Sequence, residues 1–84
     1  MTPSDHDTKT YRPIPCAAYD VYEIAIMRHQ RLRLVWGEAD VVYEQVATPL
    51  DLETVQGSEF LIVTLASGAR HAIRLDWIQR VEVC

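Results

Sequence analysis

Residues 17–36, AAYDVYEIAIMRHQRLRLVW, change their apolar period from that of a helix to that of a strand. The first part is rich in alanine and lacks glycine and proline, which predicts a helix over 17–29. At 100° per residue, Ala17, Val21, Ile24 and Ala25 share one stripe, flanked by Ala18 and Tyr22. Tyr19, Asp20, Glu23 and Met27 fall on the other side. Asp20 and Glu23 are therefore expected to be neighbours facing water, near the end where the helix dipole favours acids. Arg28 lands near the centre of the apolar stripe, so the helix should end or turn there. From Arg31 the period becomes two. Leu32, Leu34 and Trp36 alternate with Arg31, Arg33 and Val35, the pattern of a half-buried strand.

Upstream, residues 11–15 contain Pro13 and Pro15, which push the preceding residues away from helix and predict an extended approach. Residues 1–10 are polar and without periodicity and read as a disordered tail. Downstream, Gly37-Glu38 is a turn signal, and residues 39–48 read as a second strand that Pro49 ends. Residues 51–58 read as a loop. The apolar run 60–65 is a central strand, and Ser67-Gly68 marks a hairpin. Ala72, Ile73 and Leu75 belong to the next strand, Asp76-Trp77-Ile78 to a short connecting turn, and residues 79–83 to a last strand. The expected architecture is mainly β with one N-terminal helix. Five short antiparallel strands in a small chain hide their edges best by curling into a barrel. A helix followed by five bent strands is the plan of an Sm-like barrel, with an SH3-like barrel as the alternative.

Eighty-four residues support one small domain, here residues 11–84. The apolar share of 49% and charged share of 24% are those of a globular chain, not a disordered one. No apolar run is long enough to span a membrane, and the N-terminus lacks a signal-peptide core, so a cytoplasmic protein is expected. The net charge of -4 disfavours direct nucleic-acid binding, which needs clustered lysine and arginine. Between Glu38 and Glu59 there are six acids (Glu38, Asp40, Glu44, Asp51, Glu53, Glu59) and no lysine or arginine. Such a surface is either a solvated face or a contact for a basic partner.

Catalytic and metal signatures are missing from the chain. His6, His29 and His71 are not at ligand spacing with each other or with a cysteine. The three glycines form no phosphate-cradling loop, and no serine sits in a nucleophile elbow. Asp20 and Glu23 on an exposed helix face suit binding better than acid–base catalysis. No enzyme activity, cofactor or metal is expected. Cys16 reads as a small buried apolar residue, and a disulfide from Cys16 to Cys84 as a minor alternative.

The lead-in to the helix resembles that of the Rho-binding antiterminator family, often called Rof. The family pattern Tyr-x-Pro-Ile-x-Cys-x-x-Tyr-Asp-x-x-Glu is met by Tyr11, Pro13, Ile14, Cys16, Tyr19, Asp20 and Glu23. Leu32 and Leu34, the run 59–63 (EFLIV) and the run 73–78 (IRLDWI) extend the similarity over about residues 11–83. The resemblance implies an Sm-like fold and binding to the N-terminal, RNA-binding domain of the bacterial transcription terminator Rho. It implies blocked RNA loading and suppressed termination. By position, Tyr19, Asp20 and Glu23 would contact Rho from the helix, and Gln56, Gly57 and Glu59 from a mid-chain loop. Other members can carry further acids after the cysteine, where this chain has Ala17 and Ala18. The helix contact would then be weaker here, or shifted onto the acids between Glu38 and Glu59. A free monomer is expected, and an Sm-like RNA-binding module is the alternative function.

Overall fold

The computed structural model describes residues 11–84, so the expected tail at 1–10 lies outside the described residues. A helix α1 (Cys16–Arg28) precedes strands β1 (Leu32–Glu38), β2 (Val41–Val55), β3 (Ser58–Leu65), β4 (Arg70–Arg74) and β5 (Ile78–Val83). One turn of 3-10 helix (Leu75–Trp77) joins β4 to β5. The strands form one antiparallel sheet in the order β4-β3-β2-β1-β5, the small, barrel-like all-β domain with an N-terminal helix expected from the periodicities.

Proline sets the start of α1. Pro15 is extended (φ -61°, ψ 148°), and its carbonyl accepts the amides of Ala18 and Tyr19 at 3.0 and 3.1 Å. The helix ends at His29, which adopts the left-handed conformation (φ 53°, ψ 40°). The amide of Gln30 then returns to the carbonyl of Ala25 at 2.9 Å, closing the last turn.

The inward face of β1 follows its alternation. Leu32, Leu34 and Trp36 are fully buried, and Arg33 points out. They meet Tyr22 and Ala25 of α1, Ala47 of β2, Leu61 and Val63 of β3, Ile73 of β4 and Leu75 of the 3-10 turn in one core. The buried helix face differs from the expected stripe. Tyr22 and Ala25 carry it, whereas Ala17 and Ile24 are exposed and Val21 is only partly covered. The helix is apolar on nearly every side, so its period alone does not select the face that packs.

Four local expectations are corrected. The β1–β2 turn is Ala39-Asp40, both at positive φ (52° and 64°), and Gly37 and Glu38 belong to β1. β2 does not stop at Pro49. It pairs with β1 through residues 41–47 and with β3 through residues 47–55, exchanging partners at the small, buried Ala47. Pro49 sits just past that exchange, beside a bulge between Pro49 and Asp51. β1 has already left that edge, so a missing amide donor is tolerated there. Residues 51–58, expected as a loop, are thus the second half of β2 and a two-residue turn at Gln56-Gly57 (φ 50° and 82°). Leu75 lies in the 3-10 turn rather than in a strand. The β3–β4 hairpin at Ser67-Gly68 is as expected, with the Gly68 amide donating to the Leu65 carbonyl at 2.8 Å.

Cys16 is exposed at the first residue of α1, not buried, and Cys84 is also exposed. Both are free thiols, so the disulfide alternative is not formed. No helix among the described residues is long and apolar enough to cross a membrane.

Candidate functional site

The buried carboxylate of Asp76 anchors the segment that leads into α1. It accepts two bonds from Arg74, at 2.9 Å (Nε) and 2.6 Å, and the backbone amide of Arg12 at 3.0 Å. The Arg74 guanidinium lies over the Trp77 ring at 4.8 Å and the Tyr11 ring at 5.9 Å. The run IRLDWI therefore has a structural task. It builds a planar, bidentate ion pair between aromatic faces and ties residues 11 and 12 to the barrel.

Tyr11 in turn reaches β3. Its hydroxyl donates to Glu59 Oε2 at 3.5 Å. Burial first, then the Glu59 and Asp76 carboxylates, push the Tyr11 phenol up to about 12. The Tyr19 phenol is also raised, chiefly because it hydrogen-bonds Glu59, and secondly by burial. One carboxylate thus receives hydroxyls from the lead-in segment and from the helix. Tyr19 is half-buried and packs against the core, so it is a wall of the site rather than a fully outward side chain.

Beyond Tyr19 an open groove of about 650 Å³ runs between α1 and the second half of β2. Tyr19, Asp20 and Glu23, the three helix residues singled out in the sequence, line it together. Asp51 and Leu52 line the opposite side, and Ile24, Ile26 and Met27 the apolar part of the helix. None of the lining residues is a lysine or arginine. Asp51 was among the acids of the Glu38–Glu59 window, but it was read as part of a loop, and the structure places it in β2 beside the helix acids. The Pro49–Asp51 bulge is what re-aims this stretch, and bulges are commonly used for that purpose.

The mid-chain residues separate. Glu59 stands behind Tyr19 and is engaged by it. Gln56 and Gly57 are exposed at the β2–β3 turn and do not line the groove. Asp20 and Glu23 are exposed on α1, as a binding role requires.

At the other end of the sheet, Trp36 stacks on Tyr43 (5.3 Å between ring centres) and lies near His71 (5.9 Å). Glu38 accepts from the Trp36 indole at 3.2 Å and contacts His71 at 3.1 Å. These bonds hold the start of β4 against the β1–β2 hairpin. Among the described residues no three His, Cys, Asp or Glu side chains converge as metal ligands would.

No family model and no curated protein matches the chain. Among solved structures, its fold is similar to part of proteasome accessory factor B/C (PafBC) of Arthrobacter aurescens, with a TM-score of 0.75 and 22% identity. The similarity covers 89% of this chain and 12% of that one, and it is a likeness of fold.

Proposed function

We propose that this protein is a non-enzymatic inhibitor of transcription terminator Rho. In this reading it acts in the cytoplasm as a monomer, docks on the N-terminal domain of Rho, blocks RNA loading and suppresses Rho-dependent termination. The observation that carries the reading is the groove, in which Tyr19, Asp20 and Glu23 lie side by side with Asp51 and with no cation among them. An RNA-binding cleft is basic and offers stacking platforms, so its blocker should present carboxylates and an aromatic ring. Charge-assisted bonds from Arg or Lys of the partner would orient the complex and speed its formation. Asp51 supplies an acid that offsets Ala17 and Ala18, where other members of the resembling family carry further carboxylates.

The alternative, an Sm-like RNA-binding module, rests on fold analogy, because Trp36 is fully buried and the Trp36–Tyr43 stack offers no open Trp face to a base. Glu38 beside that stack would repel phosphate, which favours the first reading. Competition decides between them. The protein should displace labelled single-stranded RNA from Rho, less effectively at higher salt, and should not bind the RNA alone. The double variant Asp20→Lys, Glu23→Lys should lose that activity. If it binds Rho as tightly as the parent, the assigned surface is wrong.

A further inference from the structure

The helix α1 exposes more apolar surface than its fold requires. Tyr22 and Ala25 bury the inner face, but Met27 is 78% exposed and Ile24 46% exposed. Both side chains border the groove, where they face Leu52 of β2. Asp20, Glu23 and Asp51 border the same space. An apolar floor between carboxylates is costly to leave in water and is charge-complementary to one kind of occupant.

We propose that the groove accepts a basic segment that inserts one aliphatic or aromatic side chain between Ile24, Met27 and Leu52. Arg or Lys residues on either side of that anchor meet Asp20, Glu23 and Asp51. The inference rests on the Rho reading, since it states what a segment of Rho must present here. The two parts of the contact do different work. Exposed carboxylates steer the approach and are weakened by salt, so each adds little to affinity. The apolar anchor adds buried area whose effect salt does not screen. Met27 suits such a floor because an unbranched thioether adapts to the side chain that enters.

Two probes test this, intact Rho and a synthetic peptide with one leucine between arginines and lysines. Met27→Ala should weaken Rho binding about ten-fold at every salt concentration and leave the salt dependence unchanged. Met27→Leu, which keeps the apolar volume, should bind like the parent. Asp51→Asn should flatten the salt dependence. Met27 and Asp51 are exposed, so these changes spare the fold. The peptide should shift the Met27 methyl signal, and the same peptide with alanine in place of leucine should not. Equal Rho binding by Met27→Ala, Ile24→Ala and the parent overturns the anchor while leaving the Rho reading standing. A parent that shifts with the leucine peptide but does not bind Rho supports the groove chemistry and overturns Rho as its source. Equal shifts from both peptides overturn the anchor outright.

Discussion

Replacing Asp76 with alanine isolates the contact that holds the lead-in segment. Arg74 and Asp76 are paired in near-complete burial, with side chains 7% and 8% exposed. The guanidinium cannot shed its proton, so Asp76→Ala takes away the carboxylate that this buried charge pairs with. Breaking a buried pair from one side costs about 3–5 kcal/mol. The Trp77 and Tyr11 rings remain to stabilise the cation, which places the loss toward the lower end of that range. The Arg12 amide loses its acceptor as well, but that bond is exposed and adds roughly 1 kcal/mol or less. A domain of this size has about 4–13 kcal/mol in total, so the variant loses a large fraction of its stability. At about 4–8 °C per kcal/mol, a loss of 3 kcal/mol lowers Tm by about 12–24 °C. Urea unfolding followed by tryptophan fluorescence measures it, with an unchanged slope expected if only stability moves. The companion variant Arg74→Met, Asp76→Leu removes both charges and should recover to within about 1 kcal/mol of the parent. A loss below about 1 kcal/mol for Asp76→Ala would refute the reasoning. So would a double variant as unstable as the single one, because the cost would then not come from the charge that lost this carboxylate.

Three further outcomes are expected. The phenols of Tyr11 and Tyr22 are pushed up to about 12 from 10.0 in the unfolded chain, Tyr22 by burial. Between those values the folded chain holds protons that the unfolded chain releases, so stability is present below pH 10 and falls as pH approaches 12. Tyr22→Phe should make that fall shallower in alkaline unfolding, and an unchanged fall would contradict the assignment. Ala39→Gly should stabilise the β1–β2 turn by about 1 kcal/mol, since Ala39 holds a left-handed conformation (φ 52°) that glycine adopts freely. A destabilised variant in urea unfolding would show that the alanine methyl matters more than its strain. The Arg33–Glu44 pair, 3.7 Å apart with side chains 48% and 58% exposed, should show a coupling of only about 0–1 kcal/mol in a double-mutant cycle. A markedly larger value would mean that the outer sheet face is less solvated than its exposure indicates.

Local periodicity was enough for most element types. The alternation Leu32, Leu34, Trp36 marked an inward strand face because pleating sends every second side chain to the core. The Ser67-Gly68 signal marked its hairpin, and Pro15 the start of the helix. These features depend on neighbours in the chain, which sequence displays. Asp20 and Glu23 were legible as exposed binding candidates for the same reason, being polar positions on a helix outside either apolar stripe.

What escaped depends on segments far apart. The packing face of α1 was ambiguous, since apolar residues surround it, and only the barrel selects Tyr22 and Ala25 over Ile24. Continuation of β2 through Pro49 depends on the β1 pairing stopping at Ala47 and on the bulge beside Asp51, neither of which leaves a mark in residues 49–51. The Gln56-Gly57 turn did carry a two-residue hairpin signal, hidden by the assumption that proline had closed the strand. The lead-in motif of Tyr11, Tyr19 and the distant Glu59 was visible only as residue types. Their convergence on one carboxylate required the fold to bring the start of β3 next to the lead-in segment and Tyr19. Sequence by itself thus determined helix, strands and the acids on α1, because these follow from backbone period and polarity. Tertiary structure alone decided which carboxylates line the groove and which are consumed within the fold, because that choice turns on strand register and on which side chains meet across it.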